Sequence, residues 1–466
     1  MTGGRTTSQR RPRLLSPLTT LLVVWGFALA LYWSDVIHFD RIPESSGILY
    51  ILACVALFSF GFAISKIGRL RGTLPVLSPE LATKEWAGEV RRLSPLISAC
   101  ALAGIVAAVL FAAEMMFFVG VNPLDISGRR LLYIEREVTS LSRIAYVIGA
   151  GGFFSLTAAI LCWEDLSWSR RVLWIVSPVV LSAFSILSAG RQTILQLILL
   201  LAFSLVIRRS RAAGTSRPAK STSRAWLIGM SVLLVAALSY AMKTGRERNG
   251  AEDDINEKDL ILSIFDARIA PGVDAVLESL PPVARDGVTE VMVYFSHEIP
   301  SFLVFWECEF PGPYLGLWEF PFVARRLEDA SLVTSTVEER MSIAYESFAK
   351  SGRFAQVWQT WIRDLVIDFG SLGALVVVAF LGLAAGRVYH RCQREISLAT
   401  SFLYVGVQLC CVYAVLIVPT SDTLAFFYMA GAVLFYMHGC RAERARSLEM
   451  TRPAVPARGT TLAGAA

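Results

Sequence analysis

The chain contains 466 residues, of which 55% are hydrophobic and 18% charged, and its mean hydropathy is +0.54. Ordinary globular proteins carry about 25% charged residues. The composition therefore excludes a soluble cytosolic enzyme and intrinsic disorder, and it predicts an integral membrane protein. The net charge of +6 does not indicate nucleic-acid binding, because the basic residues lie in short clusters between apolar runs.

Ten apolar runs approach the length of about 20 residues that a helix needs to cross roughly 30 Å of hydrocarbon. We therefore predict an all-α polytopic membrane protein with about 10 transmembrane helices. Seven helices fall within residues 17–242 and three within residues 371–438, between basic tails at 1–16 and 439–466. The predicted runs are 17–33, 47–65, 95–113, 144–162, 172–189, 193–207, 225–242, 371–386, 396–418 and 423–438.

The distribution of Lys and Arg predicts the orientation, because basic residues remain on the cytoplasmic side of short loops. If both termini are cytoplasmic, the inner segments contain 26 basic residues and the short outer loops contain 6. This asymmetry predicts cytoplasmic termini. It also predicts that residues 243–370 lie outside.

Residues 243–370 form a segment of 128 residues with 22 acidic and 12 basic side chains, a net charge of −10. Residues 259–280 and 336–350 have helix-like patterns, and aromatic residues are dense between positions 294 and 320. Aromatic residues at such density lie at the lipid interface or hold a ring-shaped ligand. We predict a large, partly helical exterior loop.

The cysteines indicate neither a disulfide framework nor a metal centre. Of eight cysteines, only Cys308 lies in the exterior loop, and no Cys-x-x-Cys pair occurs. We therefore expect no metal and no cofactor. The sequence also shows no internal repeat and no inverted pair of interrupted helices, which disfavours a transporter.

Arg191 occupies a very tight outer turn in the stretch SAGRQTIL. The helix predicted after it, 193–207, would be only about 22 Å long at 1.5 Å per residue. To reach the inner surface, such a helix should draw Arg191 slightly below the outer surface, where a guanidinium needs water or an anion. The alternative is an arginine that merely extends to the interface.

The stretch QVWQTWIRDLVIDFG connects the exterior loop to the predicted helix 371–386. On a helix, Asp364 and Asp368 share a face, and Arg363 lies beside them. No Gly-rich phosphate loop or kinase catalytic-loop motif accompanies the Asp-Phe-Gly triplet, so its match to kinases is chance. The alternative role is structural, with Asp368 or Ser371 capping the following helix.

His297, in the stretch YFSHEIPSFLVFWE, is the only histidine in the exterior loop. A histidine beside a carboxylate, here Glu298, can act as a general base near neutral pH. The alternative is a packed, hydrogen-bonded histidine. Arg246 and Arg268 add cations to the same face, and the alternative for both is a solvated surface charge.

Together, the predicted outer face carries arginines, carboxylates, one histidine and many aromatic residues above a bundle of membrane helices. Arginine guanidinium groups bind a diphosphate through paired hydrogen bonds and neutralise its charge, and aromatic rings stack on sugars. A carboxylate or histidine can activate an acceptor hydroxyl. This combination favours a lipid-linked diphosphate sugar as substrate.

The sequence resembles bacterial O-antigen polymerases, the oligosaccharide repeat-unit polymerase family. The resemblance rests on SAGRQTIL, on the large exterior loop before the last three helices, and on YFSHEIPSF within that loop. It also rests on TWIRDLVIDFGSLGALVVVAFLGLAAGRVY, which is similar to the family's arginine, Asp-Phe-Gly and glycine-spaced helix. It extends over roughly residues 17–438.

The resemblance implies a bacterial inner-membrane glycosyltransferase, independent of metal and nucleotide, that joins undecaprenyl-diphosphate-linked repeat units on the periplasmic side. Expected partners are this lipid-linked oligosaccharide, membrane lipid, a flippase and a chain-length regulator, and no nucleic acid. The alternatives are an O-antigen ligase, a type that uses an exterior-loop histidine, and a permease or flippase. The predicted catalytic residues are Arg363, Asp368 and His297, and the predicted substrate-binding residues are Arg191, Arg246 and Arg268.

Overall fold

The structure is a computed structural model that is mostly helical. Two predicted site residues, Arg191 and Arg246, lie outside the described residues, as do nearly half of residues 243–370, the predicted exterior loop, and all of the predicted helix 225–242. The residues described are 14–39, 46–67, 79–118, 140–187, 192–214, 258–259, 262, 267–307, 313–317, 324, 327–328, 330–332, 360–394, 396–416 and 423–451.

The helices of the described chain are α1 (Pro17–Trp33), α2 (Gly47–Ile64), α3 (Pro79–Ala113), α4 (Ser140–Leu161), α5 (Trp168–Leu187), α6 (Gln192–Gly214), α7 (Pro271–Glu278), α8 (Pro282–Ser296), α9 (Glu298–Glu307), α10 (Trp361–Arg394), α11 (Leu398–Leu416) and α12 (Thr423–Thr451). A π-helical turn, Glu114–Phe118, extends α3, and a 3-10 turn, Trp163–Asp165, follows α4. Two short strands, β1 (Ile37–Phe39) and β2 (Ala267–Ile269), pair antiparallel.

Six of these helices, α2, α3, α4, α6, α10 and α11, are long and apolar enough to cross a membrane. Helix α1 and the apolar part of α12, Leu424–Gly439, are shorter apolar helices. The prediction of an all-α membrane protein with several spans is therefore confirmed. The six helices that meet this criterion in the described chain are fewer than the ten spans predicted.

Several helices are longer than the apolar runs that predicted them. Helix α3 begins at Pro79, α6 continues to Gly214, and α10 begins at Trp361. An apolar run ends where charged residues begin. Long charged side chains such as Glu, Lys and Arg are nevertheless good helix formers, so the helix can continue beyond the run into the polar region. Since the 23 residues of α6 span about 35 Å, the prediction of a short helix is wrong. The depth of Arg191, which lies outside the described residues, stays a prediction.

The extension of α6 is held by side chains at the end of the bundle where α4 ends. The Arg211 guanidinium lies 3.7 Å from the centroid of the Trp86 ring on α3, and Arg211 Nη2 lies 3.8 Å from Asp165 Oδ2. Arg208 Nη2 also lies 3.1 Å from Glu164 Oε1. These contacts stabilise helical structure beyond the apolar run.

The helices pack around two main hydrophobic cores. The larger core joins α3, α4, α5, α6, α11 and α12 and contains fully buried rings such as Phe153, Trp174 and Tyr428. The second core joins α1, α2, α9, α10 and α11, with Trp25, Ile51, Phe302 and Leu365 among its buried residues. The helix of the exterior loop that carries Phe302 therefore packs directly on the transmembrane bundle.

Helices α2 and α10 pack closely along their length through glycines. A Cβ atom at Gly382 would lie 2.8 Å from the Phe58 carbonyl carbon, and one at Gly61 would lie 2.9 Å from the Leu383 amide nitrogen. Small residues allow membrane helices to approach each other this closely. Both helices begin at the same end of the bundle, where the Tyr50 hydroxyl donates a hydrogen bond of 2.6 Å to the Ser371 carbonyl.

Contacts at the two ends of α1 show which segments lie together. Before α1, the Leu15 carbonyl accepts a hydrogen bond of 2.8 Å from Gln408 Nε2, and the Leu14 carbonyl accepts one from the Tyr389 hydroxyl. After α1, Ile37 of β1 pairs with Ile269 of β2. The residues that begin at β2 thus lie at the end of the bundle opposite to Leu14.

The carboxyl end of the described chain lies near the Leu14 end of the bundle. Arg391, which lies on α10 two residues after Tyr389, donates a hydrogen bond of 3.0 Å from Nη1 to the Tyr436 hydroxyl of α12. The first and last described segments are therefore at the same end, with residues 267–307 at the other.

Candidate functional site

The corner between α8 and α9 positions the first part of the site. Pro300 has no amide hydrogen to donate to the carbonyl four residues earlier, that of Ser296, and its ring would clash with that carbonyl in a continuous helix. Helix α8 therefore ends at Ser296. The His297 amide donates to the Val293 carbonyl at 2.9 Å, and the Ser301 amide donates to the His297 carbonyl at 3.0 Å. This corner places His297 and Glu298 at one point between two helices.

The second part of the site lies on the first segment of α10. Gly370 has a φ of 69° and a ψ of 171°, so α10 is kinked there. A positive φ of this size favours glycine because it has no Cβ atom. The kink separates a short helical segment, which starts at Trp361, from the long membrane helix that starts at Ser371.

The kink is joined to a short piece of the exterior loop. In a straight helix, the carbonyls of Ile367 and Asp368 would accept from amides four residues later. Here the Ile367 carbonyl accepts from the Tyr314 amide at 3.3 Å, and the Asp368 carbonyl accepts from the Leu315 amide at 2.7 Å. Residues 313–317 are thereby attached to the end of the segment that carries Arg363 and Asp368.

These two parts bring five polar residues into one buried group, which we call the acid–arginine cluster: His297, Glu298, Arg363, Asp364 and Asp368. Arg363 Nε donates to Asp364 Oδ1 at 2.6 Å, and the side chains are 10% and 7% exposed. His297 Nε2 lies 3.5 Å from Glu298 Oε1, with side chains 3% and 0% exposed. Asp368, one turn from Asp364, is completely buried.

The protonation of His297 follows from its surroundings. Its Nδ1 lies 3.0 Å from the Val293 carbonyl oxygen, which can only accept, so Nδ1 carries a proton. The other nitrogen faces Glu298. His297 is buried and hydrogen-bonded, as the structural alternative expects, and it also lies beside a carboxyl group.

Burial raises the pKa of Glu298 well above its ordinary value. The Arg363 guanidinium lowers this pKa and the Asp364 carboxylate raises it, but burial has the largest effect. Neither carboxyl oxygen of Glu298 has a hydrogen-bond partner in the described part of the chain. The surroundings therefore favour the neutral carboxylic acid.

Aromatic side chains lie along α9, next to the acid–arginine cluster. The Tyr50 ring stacks on Phe302 with a centroid distance of 6.2 Å and lies 4.4 Å from the Trp306 ring. Trp306 Nε1 donates to the Ser46 hydroxyl at 3.0 Å. Phe302 and Phe305 are buried, so they anchor α9 on the bundle, and their burial disfavours the lipid-interface alternative for these two rings.

Arg268 is not buried in the acid–arginine cluster. It lies on β2 opposite His38, and its side chain is exposed. Successive side chains of a strand point to opposite faces, and here the neighbouring Ala267 is buried against Val293 of α8. The burial of Ala267 therefore turns Arg268 outward, away from that cluster.

Glu298 and Asp364 are noted in the sequence as neighbours of His297 and Asp368, but neither is among the predicted catalytic or binding residues. Both are adjacent to selected residues, and both interrupt strongly apolar stretches, which is the signal that could have identified them. No group of three or more His, Cys, Asp or Glu side chains in the described ranges is arranged to hold a metal ion.

The acid–arginine cluster combines an arginine, which can balance an anion, with a carboxyl and an imidazole, which can accept or donate a proton. The arrangement can therefore support a reaction in which a proton is removed from one group while negative charge develops on another. Comparison of the chain with protein-family models, with curated proteins and with solved structures finds no match.

Proposed function

We propose that the chain is a membrane glycosyltransferase that polymerises undecaprenyl-diphosphate-linked oligosaccharide repeat units into O-antigen or a related surface polysaccharide. The observation that carries the proposal is the acid–arginine cluster, in which an arginine lies with a histidine and three acids at one end of a membrane-helix bundle. A cation and a proton acceptor are the two groups that glycosyl transfer from a diphosphate requires.

In the proposed reaction, the acceptor hydroxyl oxygen bonds to the anomeric carbon of the donor sugar. The bond between that carbon and the diphosphate oxygen breaks, and its electron pair goes to the diphosphate. Arg363 balances the negative charge that develops there, and the His297–Glu298 corner takes the hydroxyl proton. Asp368 orients residues 313–317 through its backbone carbonyl.

The membrane helix below the cluster supports a lipid-linked donor. Leu372, Val376 and Phe380 on α10 are 79%, 56% and 65% exposed. They share a helical face that leads from the kink into the apolar part of the bundle. A polyprenyl chain attached to a diphosphate at Arg363 can lie in the bilayer along this face.

We place the protein in the bacterial cytoplasmic membrane with both termini cytoplasmic and the acid–arginine cluster on the periplasmic side. Alkaline phosphatase fused at Asn256 is expected to be active, and a fluorescent protein fused at Arg217 is expected to fluoresce, because the basic residues lie on the cytoplasmic side. Fluorescence from a fusion at Asn256 would contradict this orientation.

Deletion of the gene, followed by gel display of the surface polysaccharide, tests the proposed function. We expect the ladder of chain lengths to collapse to a single repeat unit, because repeat units are still made and exported but not joined. The wild-type gene supplied in trans should restore the ladder. An unchanged ladder would overturn the proposal.

The second candidate is an O-antigen ligase, which the position of His297 in the acid–arginine cluster favours. A ligase transfers finished glycan from the same kind of lipid diphosphate to another acceptor, so it needs the same two groups. Its deletion would leave long glycan chains on the polyprenyl lipid and none on the cell surface. Extraction of the lipid-linked fraction separates this outcome from that of the polymerase.

A further inference from the structure

Packing alone does not explain why the Glu298 carboxyl group is buried in the acid–arginine cluster. Its side chain is completely buried, and in the described part of the chain neither oxygen has a hydrogen-bond donor. Leaving a polar group buried without hydrogen bonds is unfavourable by a few kcal/mol, and more if it is charged. Buried carboxyls of this kind are concentrated at functional sites.

The two oxygens of Glu298 have different surroundings. Oε1 lies 3.5 Å from Nε2 of His297, while Oε2 has no hydrogen-bond partner among the residues described. Because Nδ1 of His297 holds its proton against Val293, Nε2 of the neutral ring is an acceptor. A proton on Oε1 can therefore pass to Nε2, and Oε2 is left to accept another.

We propose that Glu298 is a catalytic residue that passes the acceptor's proton to His297, an inference that rests on the proposed function. As the acceptor oxygen bonds to the anomeric carbon, its proton moves to Oε2, and the proton on Oε1 moves to Nε2 of His297. Glu298 ends as a neutral acid, His297 ends as an imidazolium, and the diphosphate leaves with the electron pair of the broken bond. His297 is restored when the imidazolium returns its proton, through Glu298, to water.

This role assigns the direct contact with the acceptor to Glu298 and not to His297. Both ring nitrogens of His297 face protein groups, the Val293 carbonyl and the Glu298 carboxyl. Since Glu298 is completely buried, its contact with the acceptor forms as the acceptor binds, as catalytic hydrogen bonds often do.

The test is the rate of chain extension by the purified full-length protein in lipid nanodiscs, with a synthetic undecaprenyl-diphosphate-linked repeat unit as both donor and acceptor. Glu298→Gln has nearly the same shape but cannot relay a proton, so the turnover rate should fall at least about 100-fold. The KM for the donor should change less than about threefold, because Arg363 is untouched. Glu298→Asp, which retains the carboxyl, should recover part of the rate. Glu307→Gln, at the exposed far end of α9, is the control and should extend chains normally.

A double-substitution cycle tests the relay. If Glu298 and His297 act as one unit, Glu298→Gln combined with His297→Gln should be no slower than either single variant. Losses that multiply would show that the two residues act independently and would overturn the relay. So would a Glu298→Gln variant with at least one third of the wild-type rate.

Failure of this inference differs from failure of the proposed function. If the wild-type protein extends chains and Glu298→Gln does so equally well, only the relay is wrong. If the wild-type protein makes no polymer and gene deletion leaves the ladder intact, the proposed function is wrong. The melting temperatures of Glu298→Gln and Glu307→Gln should lie within a few degrees of the wild type, because Gln fills the same space as Glu.

Discussion

Arg363→Lys is expected to reduce chain extension by about 100-fold or more while the protein remains folded. The Arg363 guanidinium donates a hydrogen bond to Asp364 through Nε. In the proposed reaction, its terminal amino groups, which lie in the same plane, bind the diphosphate. Lysine keeps the positive charge but has no planar fork, so it cannot hold both groups in a fixed geometry. Loss of one such charge-stabilising contact typically costs about 100-fold to 1000-fold in rate.

Arg285→Lys is the matched control for this experiment. Arg285 is an arginine of the exterior loop with a side-chain exposure of 16%, close to the 10% of Arg363, and its Nε likewise bonds the next residue, Asp286, at 3.1 Å. We expect Arg285→Lys to extend chains at a near-normal rate. Wild-type polymer length from Arg363→Lys would remove Arg363 from the site.

Arg363→Ala separates the structural contribution of this arginine from its catalytic one. The substitution leaves Asp364 buried without its cation, and breaking a buried ion pair in this way typically costs about 3–5 kcal/mol. We therefore expect lower membrane abundance for Arg363→Ala and normal abundance for Arg363→Lys. Quantitative blotting of membrane fractions measures the difference, and equal abundance of both variants would show that the buried pair contributes little to stability.

Gly382→Leu is expected to cause the largest loss of folded protein. Any Cβ atom at this position overlaps the Phe58 backbone of α2, and both backbones are helical and cannot shift locally. The two helices would have to separate, which loses their packing and costs several kcal/mol. The Tyr50 hydroxyl donates a hydrogen bond to the Ser371 carbonyl at the end of the same helix pair that lies next to the Gly370 kink. Separation of the helices would therefore also disturb the kink beside the acid–arginine cluster.

Gly26→Ala in α1 is the matched control for the helix-packing prediction. Gly26 lies in a shorter apolar helix, and a Cβ atom there would meet no atom of a neighbouring segment within 4 Å. The substitution should leave stability unchanged or raise it by up to about 1 kcal/mol, since alanine is the better helix former. Thermal unfolding in detergent compares the two variants. A Gly382→Leu protein that melts within two degrees of Gly26→Ala would show that the α2–α10 contact is dispensable.

Much of the fold could be predicted from local sequence, with errors at the helix ends. Helix α1 matches its predicted run, and α2 begins where predicted, because both are bounded by polar loops. The predictions for α6 and α10 ended at charged residues, although both helices continue beyond them. The extension of α6 depends on partners such as Trp86 and Asp165, which are far from Arg211 in the chain.

By itself, the sequence determined that this is a membrane protein of apolar helices, because the transfer of a 20-residue segment into lipid depends on that segment's own side chains. It also indicated Arg363, Asp368 and His297 as residues of interest. Only the tertiary structure decided that Glu298 and Asp364 are buried with them and that Arg268 is exposed. Burial, hydrogen bonding and proton position depend on which residues of distant segments meet, and here the corner before Pro300 and the kink at Gly370 bring those segments together.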